Sequence, residues 1–445
     1  MQVKSTYQNI WQIAYPIMLA SVAQMLVGLT DTAFLARVGE VELGASAIAG
    51  VFYFVLVMLG MALSIGSQIL MSRKAGENNR LAIGNYFDHS VVILSVLAVI
   101  LYFIMFFAAP AFFNLVLHSK DVADASITYI HNRSFGIFFI LIVNCFRAFY
   151  TSISATRFIT YSALVLTVSN FILDYVLIFG KLGFEAQGIA GAARASAIAE
   201  VLACIYLFFI TFYRNENSSF GLFRFVNINL TRINEIIFIS IPVFFQNLLS
   251  MGAWFLFFVF IERLGQHELA VSNVVRSAYM VLMTPIWGYA SAANSMVSNL
   301  IGQNKQDEVI PLVKKIIVLS LASSTLILLI NLFDFKLLLR IISSDMMLLH
   351  DATPSYIVTW CAMFFFSVSM VLLSAISGTG KTNVAFIIEV INIAIYVAYA
   401  FIAAVVLKAQ LHVVWYVEIL YWIIMGLCSW LYLQTNKWRK RNTFC

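Results

Sequence analysis

The sequence predicts an all-α polytopic membrane protein, with twelve transmembrane helices in two pseudo-symmetric six-helix lobes. Three observations predict it. The 445 residues are 62% hydrophobic and only 11% charged, with a mean hydropathy of +0.91, whereas soluble domains carry about a quarter charged residues. Apolar runs of about 20 residues recur along the whole chain. They are too long and too uniformly apolar for barrel strands, and in lipid only helices and closed barrels satisfy every backbone group. The chain also repeats itself: a shift of 226 residues places Pro16 on Pro242, Arg37 on Arg263, Gly39 on Gly265, Glu42 on Glu268, Ser72 on Ser298, Gly76 on Gly302 and Asn78 on Asn304. Matches of Pro, Gly, Arg, Glu and Asn carry weight that apolar matches in such a composition do not.

The spans run roughly over residues 10–36, 45–72, 83–109, 123–146, 158–180 and 187–213 in the first half. In the second half they run roughly over 233–261, 268–300, 309–333, 353–376, 382–407 and 411–435. Between the sixth and seventh lies the longest polar connection, RNENSSFGLFRFVNINLTR. This divides the chain into an N-terminal lobe (1–213), a linker (214–232), a C-terminal lobe (233–436) and a basic tail (437–445). Lys and Arg concentrate at both termini and in alternate loops, as in Arg73, Lys74, Arg80, Arg147, Arg157, Arg214, Lys314, Lys315 and the tail. The positive-inside rule therefore puts both termini and the linker in the cytoplasm. The first span has no A-x-A cleavage site behind a short apolar core, so it is expected to be retained.

The net charge of +6 is accounted for by these topology signals, and no aromatic-plus-basic motif points to nucleic acid. Of the five cysteines, Cys145, Cys204, Cys361 and Cys428 lie in or beside spans, and none forms a C-x-x-C pair with another. That argues against a disulfide framework or a zinc site. No H-E-x-x-H, Ser/Lys dyad or metal-spaced acid cluster points to an enzyme. Each half has an even number of spans, so the two are parallel in topology and related by an axis along the membrane normal, an architecture suited to alternating access.

GLTDTAFLARVG (28–39), SRKAGENN (72–79), SNFILDYVLIFG (169–180), GIAGAARAS (188–196) and SGTGKT (377–382), in this order and spacing and on a duplicated frame, resemble the multidrug and toxic compound extrusion (MATE) family. The pattern is most similar to its DinF-like branch. That resemblance implies an acid late in the first span, another late in the fifth with an Asn one turn before it, and a hydroxyl in the sixth. Here these are Asp31, Asp174, Asn170 and Ser196. The NorM-like branch carries acids within the seventh and tenth spans. This chain has only Glu262 at the end of its seventh and none in its tenth, so coupling is expected in the N-terminal lobe.

Read from the residues alone, Asp31, Asp174, Glu200, Glu389 and Glu418 are acids inside spans. Each needs a partner, a proton or water, because a charge near the bilayer centre costs roughly 3 kcal/mol or more. Asp31 and Asp174 both fall roughly 8–9 Å below the outer surface at the helical rise. If the first and fifth spans are neighbours the two carboxylates meet, and they cannot both ionise cheaply. Such a pair either exchanges a proton or binds Na⁺, with Asn170 and Ser196 as further oxygen ligands. The alternative is a snorkelling or internally paired carboxylate. Arg194 is a possible partner of Asp174 or Glu200. Glu389 and Glu418 either face a substrate cavity or pair with Arg276. Gln68, Asn144 and Gln246 either line that cavity or tie helices together. Pro16 either lets its helix bend or is a tolerated kink.

The sequence therefore points to a secondary antiporter, functional as a monomer in a bacterial inner membrane. It would export amphipathic, cationic small molecules against H⁺ or Na⁺ and need no other cofactor. The alternative is a flippase for lipid-linked oligosaccharides or lipids from the same superfamily, which would call for a basic cavity.

Overall fold

A computed structural model describes residues 1–226, 228–343 and 345–439, so the basic tail beyond Arg439 lies outside the described residues. Thirteen long helices dominate the described chain: α1 Tyr7–Leu35, α2 Glu40–Gly76, α3 Arg80–Phe103, α4 Lys120–Arg133, α5 Gly136–Ser152, α6 Arg157–Phe179, α7 Gly188–Tyr213, α8 Leu230–Glu262, α9 Gln266–Gly302, α10 Val309–Phe333, α11 Met346–Gly378, α12 Thr382–Phe401 and α13 Leu411–Gln434. Among the described residues 11 helices are long and apolar enough to cross a membrane, and α4 with α5 supplies a twelfth span broken by a bend of 53°. The expected all-helical fold with twelve spans is what the chain forms.

Leu, Ile, Phe and Val fill these helices, and their termini follow local chemistry. Asn79 caps α3 by accepting from Ala82 N at 3.0 Å. Ser119 starts α4 in the same way, with its hydroxyl accepting from Val122 N at 3.5 Å. Gly180 ends α6 in the left-handed region at φ 67°, and a Cβ there would run into the Ala186 backbone. The repeat is visible in the elements themselves. α2 and α9 are each 37 residues long and end at the matched Gly76 and Gly302, each followed by an asparagine in the left-handed region, Asn78 (φ 59°) and Asn304 (φ 58°).

The chain divides into two compact units. One comprises Met1 and residues 19–244, the other residues 2–18 and the chain from Phe245 onward. The division falls inside α1 and α8, at positions matched by the 226-residue repeat. In the first unit the start of α8 is tied down by Tyr86, whose hydroxyl donates to Glu235 at 2.5 Å. The connection before α8 is held by α3. Asp88 accepts from the backbone of Phe223 (2.7 Å) and Phe225 (2.9 Å), and His89 Nε2 accepts from Asn229 N at 3.1 Å. In the second unit the chain's start is fastened by Asn299, which accepts from Val3 N at 3.1 Å, and by Lys315, which donates to the Ser5 carbonyl at 2.6 Å.

Candidate functional site

Within the first unit α1, α6 and α7 meet. Thr167 on α6 donates to the Ala23 carbonyl of α1 at 3.0 Å, and Phe34 packs on Phe171 and Phe179 with ring centroids 5.6 and 5.5 Å apart. α6 and α7 approach closely at Gly191, where a Cβ would lie 2.7 Å from the Leu177 carbonyl. This packing brings the four expected coupling residues together. Asp31 and Asp174 reach hydrogen-bonding contact with each other. When the Asn170 amide nitrogen faces it, Ser196 donates to Asp31 Oδ2 at 3.4 Å. Asp174 and Asn170 are fully buried and Ser196 is 5% exposed.

Asn170 sits at the centre, and its orientation matters. With its nitrogen turned inward, Nδ2 donates to Asp31 Oδ1 at 3.1 Å and to Asp174 Oδ2 at 3.2 Å, and its carbonyl accepts from Ser196 at 3.1 Å. Turned over, Nδ2 donates to Ser196 at 3.1 Å instead, and its carbonyl joins the carboxylates in a group of acceptors that only a cation or a proton would satisfy. One amide rotation thus separates a hydrogen-bonded site from a cation cage. No group of three His, Cys, Asp or Glu suited to a metal occurs among the described residues, so any ion held here would rely on amide and hydroxyl oxygens as well.

A turn along α7 from Ser196, on the same face, Glu200 accepts from Arg133 Nη2 at 2.6 Å. Tyr53 donates to both Glu200 oxygens at 3.3 Å, and the Arg133 guanidinium lies 4.4 Å from the Tyr53 ring centroid. Arg133 is the last residue of α4, at the 53° break. The sequence shows only that an arginine falls in or near the fourth span, with nothing to say which acid it faces. Arg194, weighed as that partner, is exposed and bonds Asn132 Oδ1 (2.7 Å) and Gln187 Oε1 (2.9 Å) instead. The reason is helical geometry, since residues two apart do not share a face and Arg194 stands two before Ser196.

The remaining candidates lie apart from this cluster. Gln68 and Asn144 are buried in the first unit, and the Asn144 carbonyl accepts from Ser64 at 2.5 Å. In the second unit Gln246 offers its backbone carbonyl to Ser250 at 2.9 Å. Glu418 is ringed by neutral donors, with Tyr396 (3.0 Å), Trp422 (3.1 Å), Trp254 (3.3 Å) and Tyr279 (3.3 Å). Glu389 accepts from Ser250 and, at 2.5 Å, from Tyr421. Neither acid takes Arg276, which lies 5.0 Å from the Phe258 ring centroid. Pro16 sits within the continuous helix α1. A cavity of about 580 Å³ in the second unit is lined by other residues, among them Arg263, His267, Asp351, Lys408 and His412.

The family model MatE matches residues 16–176 and again 242–402, the same 226-residue offset that the sequence repeat shows. The chain belongs to the MatE family. This is the family of MATE multidrug efflux transporters, so the chain is placed among transporters and not enzymes. Its relatives include a probable multidrug resistance protein NorM of Thermotoga maritima, 24% identical over 99% of this chain and 95% of that protein. A second NorM, from Pasteurella multocida, is 25% identical over 66% of this chain and 64% of that one. Among solved structures, an outward-facing MATE family transporter of the MOP superfamily shares the fold with TM-score 0.90 at 17% identity, covering 98% of this chain and 97% of that one. A MOP superfamily transporter from Pyrococcus furiosus, described as having a binding pocket of reversed polarity, gives TM-score 0.89 at 17% identity, covering 99% and 98%.

Proposed function

We propose that this MatE protein is a secondary antiporter that exports amphipathic, cationic compounds in exchange for H⁺ or Na⁺, with ion coupling in its N-terminal six spans. The observation that carries the reading is the cluster on three helices of half-buried Asp31 with buried Asp174, Asn170 and Ser196. Two touching carboxyls in apolar surroundings bind a cation when the site is open to one side and release it when the site opens to the other. Exchange then follows if the ion-loaded and substrate-loaded forms favour opposite openings. The excess of acids over arginines within the spans supports a cationic substrate. The matched repeat supports alternating access, the loop charges support both termini in the cytoplasm, and the bacterial NorM relatives support a bacterial inner membrane.

The test is dye efflux from proteoliposomes with a pH gradient or a Na⁺ gradient imposed separately, for the wild type beside Asp31→Asn. Efflux driven by one gradient and lost in the variant is the expected result, and it names the ion. Efflux that survives Asp31→Asn would move coupling away from this cluster. Absence of efflux for every cationic dye under both gradients would favour lipid flipping instead.

A further inference from the structure

The cavity of about 580 Å³ in the second unit is walled by the turn between α8 and α9, the starts of α9 and α11, and the connection into α13. Its volume lies in the roughly 300–1,000 Å³ range of small-molecule sites. The charges on this wall are not matched to one another. Asp351 accepts from two imidazoles, His267 Nε2 at 2.8 Å and His350 Nδ1 at 3.0 Å. Glu268 folds back over the start of its own helix, with Oε2 2.3 Å from where a Cβ on Gly265 would stand. Arg263 and Lys408, both exposed, form no ion pair among the described residues. Two cationic residues therefore line one cavity with no carboxylate bound to either. α9 and α13 also begin there, and neither N-cap, Gly265 nor Gln410, makes a side-chain hydrogen bond. Open first-turn N–H groups and the positive ends of two long helices add to the same field. In the same wall Ser355 is 1% exposed, and its hydroxyl has no hydrogen-bond partner among the described residues. Leaving such a group unsatisfied costs about 1–3 kcal/mol.

We propose that this cavity binds a phosphate group, carried either by an anionic phospholipid headgroup or by a free phosphate ion. The inference is independent of which ion drives transport. A metal cation would need the carboxylates, which are turned to the imidazoles and to the start of α9, and it would be repelled by Arg263 and Lys408. A neutral solute would leave both cations without a counter-charge. A phosphate group offers several oxygens at once to a guanidinium fork, an ammonium, helix N–H groups and a hydroxyl. With the proposed topology this end of α9 is the outer one, within reach of lipid headgroups and of dissolved anions.

The test uses purified full-length protein in neutral detergent and phosphate-free buffer. Binding of ³²P-labelled inorganic phosphate and of dihexanoyl-phosphatidylglycerol is titrated, beside dihexanoylglycerol, which has the same chains and no phosphate. Saturable binding of one phosphate-bearing ligand per chain is expected. Saturation by inorganic phosphate would make the free ion sufficient, and saturation by the phospholipid alone would make the headgroup the ligand. Arg263→Gln and Lys408→Asn should each weaken binding at least tenfold. Both should melt like the wild type without ligand, because both side chains are exposed and outside any ion pair, and Asn tolerates the left-handed backbone at position 408 (φ 46°). Absence of saturable binding for both phosphate probes, binding that is unchanged in either variant, or equal binding of dihexanoylglycerol overturns the proposal.

Discussion

Arg133→Met offers a direct measure of how the first unit is held together. The Arg133–Glu200 contact is 2.6 Å long, with the two side chains 12% and 4% exposed, so it is a buried pair. Forming such a pair gains little net stability, but removing one partner strands the other, at a cost of about 3–5 kcal/mol. Arg133→Met leaves Glu200 with only the Tyr53 hydroxyl. Glu200→Met is expected to cost less, because the guanidinium keeps its place over the Tyr53 ring, a contact worth about 2 kcal/mol when desolvated. The double variant, with both charges gone, should recover most of the loss. At roughly 2–4 °C per kcal/mol for a unit of this size, Arg133→Met should lower the melting temperature by about 10 °C. A thiol-reactive dye reads this conveniently, since Cys145 and Cys204 are free and buried in the same unit. If Arg133→Met, Glu200→Met and the double variant all melt within about 2 °C of the wild type, the reasoning fails, because Glu200 would then be solvated or otherwise neutralised.

Other consequences can be checked on the same protein. Gly191→Ala places a methyl against the Leu177 carbonyl. It should destabilise by about 1–3 kcal/mol and reduce efflux per folded protein, since it wedges α7 from α6 at Leu177, on the same helix pair that brings Ser196 to Asn170. Asp88→Ala takes the acceptor from the Phe223 and Phe225 amides. At about 1–3 kcal/mol per unmade bond, limited proteolysis between residues 214 and 232 should speed up at least tenfold; unchanged cleavage would show the latch to be dispensable. Arg194→Ala should change stability by no more than about 0.5 kcal/mol and leave gradient-driven efflux intact, because its bonds are exposed and go to neutral groups.

Asp31 and Asp174 were legible in the sequence because an acid inside a 20-residue apolar run is conspicuous and helical spacing fixes its depth, whereas Asn170 and Ser196, polar but uncharged, were picked out by the family resemblance. The Arg133–Glu200 pair was not legible, although both residues were in plain view. Pairing across helices depends on the rotation of each helix about its axis, and uniformly apolar spans give little periodicity from which to read that rotation. The same limit applies to Glu389 and Glu418. Their depth is set by position, but their partners Ser250, Tyr421, Trp254, Tyr279, Tyr396 and Trp422 come from four helices.

By itself the sequence determined that this chain lies in a membrane, folds as helices, repeats once and carries acids at particular depths, because composition, run length and the 226-residue offset are properties of the chain alone. Only the tertiary structure decided which groups meet. It put Asn170 between two carboxylates and gave Glu200 to Arg133 and not Arg194, and among the described residues it left Glu389 Oε2 and the Asn392 amide without partners. It also drew the division of the two units through α1 and α8. The physical reason is that a lipid-embedded helix satisfies its own backbone, so its sequence dictates that it forms, while its neighbours and facing are chosen by side-chain packing and by the few polar groups that must find one another.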